Sequence, residues 1–311
     1  ELENYITPKT RMIGLCNPHN PYGVVYRPED LEHIMSLCEK YNLYIMNDEI
    51  WSDIVFPEEP FRSIYSLGSK RCRRVMSVFG FSKSFGIAGL RAGCVYTTDE
   101  KLFEQIVENS DVMSTAGGIA SISQIAGTAC MSKCYYWVDA FLEHLKKNRD
   151  YAVDRLNQMP MIKAYRPHAT YLLYVDIRAF GMKSEEFTDY MKDKVKLAVV
   201  SGGEKFFGSG SEGYIRICFA TSHEILEEGL NRLEKGIDML IREGILKVNT
   251  LDLKTVFHNP CELGRGCDVY AAPDQVLQTV SHKLATVYDG KNSLCCGGSL
   301  ANIHIDPGQR T

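Results

Sequence analysis

Short apolar runs that each end on polar residues, with a helix or loop before the next run, constrain this chain most. Met12–Cys16 leads into the turn-rich Asn17-Pro18-His19-Asn20-Pro21-Tyr22-Gly23. Leu43–Met46 ends at Asn47-Asp48, Val75–Phe79 ends at Gly80 and a lysine turn, and Gly93–Tyr96 makes a fourth run. Strands alternating with crossovers predict an α/β sheet. In such sheets ligands collect outside the carboxyl ends of the strands. Asn20, Asp48 and Lys83 all fall just past such ends.

The local pattern fills in the rest. Arg27-Pro28-Glu29-Asp30 opens a helix, with proline suited to its first turn and acids to its dipole. Leu31, Ile34, Met35 and Cys38 then form one apolar stripe. Residues 99–160 read as mostly helical. Thr170–Asp176, Leu197–Val200 and Tyr214–Phe219 read as strands of a second, α+β unit that closes with a helix over about Glu224–Arg242. The expected division is 1–115, 116–248 and 249–311, the last part set apart by its crowded cysteines.

Composition excludes several classes. A net charge of −4 argues against nucleic acid as a main partner. No apolar stretch is long enough to span a bilayer, and no secretory segment opens the chain. Of eleven cysteines, those up to Cys218 are scattered singly and read as reduced thiols of a cytoplasmic protein. The chain begins with Glu1 next to a strand, which reads as a fragment.

The chemistry centres on Phe81-Ser82-Lys83-Ser84-Phe85-Gly86-Ile87-Ala88-Gly89-Leu90-Arg91. A lysine among apolar and small residues is costly to keep charged, so its pKa can fall and its amine can become a nucleophile. An arginine eight residues on suggests an anionic ligand such as a phosphate. Amine plus phosphate points to the Schiff-base cofactor pyridoxal 5'-phosphate (PLP), an electron sink. That cofactor also requires a carboxylate for its ring nitrogen, a donor for its phenolic oxygen, and an arginine fork for the substrate carboxylate. Asp48, Asn20 and Arg216 offer one candidate each. Each has a plainer alternative: Asp48 a turn cap, Asn20 a turn former, and Arg216 a solvent-facing residue on a half-buried strand.

Taken in order, Asn17–Gly23, Asp48-Glu49-Ile50-Trp51, Ser82-Lys83 with Gly89-Leu90-Arg91, and Tyr214-Ile215-Arg216 resemble the signature of class I/II PLP-dependent aminotransferases. The variants are similar to the branch that includes cystathionine β-lyase-like C–S lyases. The resemblance covers about residues 1–245. It implies a partial large domain of PLP-transferase fold type I, a smaller α+β C-terminal domain, and a homodimer in the full-length enzyme. It implies amino-group transfer between an amino acid and a 2-oxo acid, with β-elimination as the alternative. It further assigns the internal aldimine to Lys83, the ring-nitrogen carboxylate to Asp48, the phenolic-oxygen donor to Asn20, the phosphate arginine to Arg91 and the substrate-carboxylate arginine to Arg216. Three departures stand out. Trp51 takes the place of a common tyrosine, and Gly80 that of a phosphate-binding serine. The family's stretch before the Asn-Pro motif, with its Gly-rich phosphate cradle, has no counterpart, so the chain reads as the C-terminal part of such an enzyme.

From Val256 the text changes. Val256–Arg265 and Asn292–Gly298 resemble the first half of a cysteine-rich CCG domain of heterodisulfide-reductase-like proteins. That resemblance makes Cys261, Cys295 and Cys296 candidate ligands of an iron–sulfur cluster or zinc, and the tail a short α/β electron-transfer module. The motif's later Cys-x-x-Cys is missing, so the expectation is that the tail binds no metal as it stands.

Overall fold

The computed structural model describes residues 1–114 and 118–244, together with the backbone of 254–255 and 282–283. The first sheet contains β1 (Met12–Cys16), β2 (Tyr44–Asp48), β3 (Val75–Gly80) and β4 (Gly93–Tyr96), in that spatial order. The first three strands are parallel, and β4 folds back antiparallel to β3. Between β1 and β2 runs α1 (Pro28–Tyr41), which starts with proline and with the Asp30 carboxylate accepting from the Arg27 backbone amide at 3.3 Å. It ends where Asn42 turns left-handed at φ 56°. The predicted stripe, Leu31, Ile34, Met35 and Cys38, is buried against Leu15, Ile45 and Val75. On the opposite face Met12 and Met46 remain exposed.

The lysine segment is a short helical turn, α2 (Phe81–Ser84). Three helices follow: α3 (Glu100–Glu108), α4 (Ser121–Lys133) and α5 (Tyr135–Gln158). The second sheet is antiparallel, with β5 (Lys163–Ala164), β6 (Leu172–Asp176), β8 (Tyr214–Cys218) and β7 (Val200–Ser201) side by side. Helices α6 (Ser184–Val195), the short α7 (Glu204–Phe207) and α8 (His223–Arg242) complete it. Leu145, Ala152 and Leu156 of α5, Leu173 and Val175 of β6, and Leu233 and Ile237 of α8 are each nearly or fully excluded from solvent.

Two expected strands are shorter than the sequence suggests. Thr170 is left-handed, at φ 68°, so β6 starts at Leu172. Lys196 is also left-handed and the Leu197 amide bonds back to Met191, so the last turn of α6 delays pairing until Val200. Glu1–Leu240 forms one compact unit. Of the second, Ile241–Thr311, the described part is 241–244 and a short parallel pair, Lys254–Thr255 (β9) with His282–Lys283 (β10). Residues 256–281 and 284–311, and with them Cys261, Cys295 and Cys296, lie outside the described residues.

Candidate active site

The parallel strands β1 and β2 finish level, and β3 runs two residues further, to Gly80. Cys16 pairs with Asp48, and Asp48 with Val78. The ladder runs one step further, with the Asn17 amide bonding to Asp48 O and the Glu49 amide to Val78 O, both at 2.9 Å. Three chain exits therefore emerge along one sheet edge.

At the first exit the Asn17 side chain is fully buried and ties the turn down. Its Nδ2 donates to Arg62 O and its Oδ1 accepts from the Tyr26 amide, both at 3.1 Å. Gly23 is left-handed, and a Cβ there would lie 2.6 Å from both Ala169 O and Pro167 Cβ. Its own carbonyl accepts from the His168 and Ala169 amides. Only glycine fits this close backbone approach. The turn so held carries Asn20, whose Oδ1 accepts a hydrogen bond from Arg216 Nη1 at 3.2 Å. That bond joins β8 of the second sheet to the carboxyl edge of the first. Arg216 is half-buried and its guanidinium lies 5.2 Å from the Phe207 ring centroid, so it is not the freely solvated residue of the plainer alternative.

The second exit carries Asp48. Its Oδ1 accepts from the Ile50 amide at 3.0 Å, so the turn-capping role is present and occupies one carboxylate oxygen. The Cys16 thiol lies between the first two exits. Burial first pushes its pKa up and the nearby Asp48 charge adds to this, while a hydrogen bond with the Asn20 backbone opposes both. Burial likewise pushes the His19 pKa down, and its Nδ1 is buried without a partner.

The third exit carries Lys83. Its Nζ sits 5.4 Å from the centroid of the Trp51 ring. Trp51 is only 4% exposed and meets Tyr171 edge-on at 4.5 Å, so the indole is fixed where the amine rests. The sequence had assigned Trp51 no role. Its signal was its place, three residues after the aspartate. Asp53 and Ser84 were also missed, and both hold buried polar atoms without hydrogen bonds. Arg91 is exposed and left-handed, at φ 51°, two residues before β4. Among the described residues no cluster of side chains is suited to a metal ion, and no helix is long and apolar enough to cross a membrane.

The family model described as aminotransferase class I and II matches residues 1–233. The aspartate aminotransferase of Pyrococcus horikoshii is 31% identical over 240 residues, 76% of this chain and 59% of that protein. Aromatic-amino-acid aminotransferase 2 of Thermococcus litoralis is 32% identical over 237 residues, with the same coverage. The crystal structure of cystalysin from Treponema denticola, which contains a pyridoxal 5'-phosphate cofactor, superposes with a TM-score of 0.72 at 27% identity, over 77% of this chain and 60% of that one. The chain thus spans about three fifths of the length of the curated relatives it matches.

Proposed function

The chain belongs to the class I and II aminotransferase family, and from that premise we propose that it forms the lysine-bearing part of a PLP-dependent aminotransferase. The reaction moves an amino group between an amino acid and a 2-oxo acid. The observation that carries this reading is the Asn20–Arg216 hydrogen bond, which brings a phenolic-oxygen donor and a carboxylate-binding cation together from two sheets.

The residues fit the cofactor by chemistry. Bound PLP supplies an electron sink for charge that develops at the substrate Cα. Lys83 offers an amine held against an indole, to attach the cofactor and to move the proton at Cα. Asp48, with Oδ1 spent on the Ile50 amide, keeps Oδ2 for a proton on the pyridine nitrogen. Asn20 accepts from Arg216 with Oδ1, so its Nδ2 is left to donate to the phenolic oxygen. Arg216 spends one N–H on Asn20 and keeps the rest of its fork for a substrate carboxylate. Arg91, exposed beyond the lysine turn, is the cation for the phosphate.

The proposed division is 1–115 for the cofactor domain, 116–248 for the smaller domain and 249–311 for the cysteine-rich tail. A cytoplasmic location is supported by seven described cysteines that all stand as free thiols. A homodimer is supported by exposed apolar side chains on α4, Ile122 and Ile125 at 63% and 66% exposure. The test is product formation by the full chain at saturating PLP. Glutamate formed from 2-oxoglutarate in a Lys83-dependent manner supports the reading. Pyruvate released from cystathionine moves it to β-elimination. Neither product removes it for this polypeptide.

A further inference from the structure

The loop after β2 reaches the lysine turn twice. Trp51 lies against the amine of Lys83, and Asp53, two residues on, reaches Ser84, the next residue of α2. Ser84 is fully buried, and its hydroxyl makes no hydrogen bond. The Oδ2 of Asp53 is also buried, and equally without one. A buried donor and a buried acceptor left unmatched are costly, and the cost disappears when they meet. They are already neighbours. Burial pushes the Asp53 carboxyl pKa up, and the Ser84 hydroxyl partly offsets that shift. The two groups are neighbours with no hydrogen bond between them, and a change of side-chain rotamer is what brings them to bonding geometry. Tyr135 of α5 faces the same carboxyl: burial first, then the Asp53 charge, push its phenol pKa up. The Tyr135 ring also packs edge-on against Phe85, the residue that ends the turn, at 5.6 Å.

We propose that Asp53 is a positioning residue: by accepting a hydrogen bond from Ser84 it fixes the Phe81–Ser84 turn, so that the Lys83 amine rests on the Trp51 ring and not in water. Two grips two residues apart on one loop hold two consecutive residues of the turn, one by its ring and one by its carboxyl. The assignment rests on Lys83 being the functional amine, but its test needs no cofactor.

The test is competitive acetylation of the full chain with acetic anhydride, read by mass spectrometry as the labelling of Lys83 relative to the exposed Lys101. Asp53→Ala and Ser84→Ala are each expected to raise that ratio about fivefold, the factor one lost hydrogen bond supplies. The double variant is expected to go no further, because both remove the same bond. Asp53→Asn, which keeps an acceptor oxygen, stays near the parent. A merely structural loss would lower the melting temperature and raise labelling at all lysines together, leaving the ratio alone. An unchanged ratio in Ser84→Ala overturns the proposal, as do additive effects in the double variant. Should Asp53→Ala not fold, Ser84→Ala and Asp53→Asn decide the matter. A ratio that responds while PLP fails to attach to Lys83 would remove the proposed function and leave this contact standing.

Discussion

Gly23 shows how tightly single positions hold the site. Its left-handed backbone and the 2.6 Å approach of Ala169 O leave no room for a methyl group. Gly23→Ala is expected to cost more than ~1 kcal/mol and to loosen the turn that carries Asn20; urea denaturation measures the first effect. Arg216 is a second such position. Arg216→Ala removes a charged donor, and the account expects carboxylate binding to weaken by about ten- to a hundredfold, the range for hydrogen bonds to charged groups. Titration with a dicarboxylate inhibitor checks it, and an unchanged affinity would place the carboxylate elsewhere. Asn20 and Asp48 could be picked out as candidates because ligand-binding polar residues gather past strand ends. What sequence reading missed, Trp51 against Lys83 and Asp53 beside Ser84, depends on how the loop after β2 folds over α2. No local pattern encodes that packing.

Among the elements, α1 was the most readable, because its cap, its stripe and its left-handed end all agree. Strand β7 was the least readable. Leu197–Val200 has the right side chains, but the last turn of α6 takes the Leu197 amide first. Helix α5 combines a buried face with ion pairs to the loop after β2. Leu145 is fully buried there, and Leu145→Ala is expected to cost ~2–5 kcal/mol, measured as a fall in the thermal midpoint. The same helix carries Lys146 and the nearly buried Arg149, which both pair with Glu58. The Lys146 hydrogen bond leads in drawing the Glu58 carboxyl pKa down to about 2, and Arg149 adds to it. A folded pKa below the unfolded one means that the stabilisation is full above about pH 4.3, the usual glutamate value, and is lost as pH falls toward the folded value. Both partners of the Lys146–Glu58 pair are more than a third exposed, so the effect is screened and modest. Glu58→Gln should flatten the acid side of the stability curve over that window, and an unaltered curve would show that the pair contributes nothing.

In the molecule as a whole, apolar surface remains where a parallel sheet is normally covered on both sides. Met12 and Met46 on the first sheet, and Ile122 and Ile125 on α4, are all exposed. The account expects concentration-dependent self-association in sedimentation velocity, reduced by an Ile122→Lys, Ile125→Glu pair; a monomer at every concentration would contradict it. The overall class was readable from the alternation of strands and crossovers, and the matched relatives share it. The joining of the two sheets through Asn20 and Arg216, 196 residues apart, was not, since a contact so distant leaves no local trace. The central claim is that Lys83 is where the cofactor attaches. Incubation of the full chain with PLP, borohydride reduction and peptide mass spectrometry tests it. One dominant adduct on the Lys83 peptide is expected, lost in Lys83→Ala. Labelling spread evenly over exposed lysines, with Lys83 no different from Lys101, would contradict it.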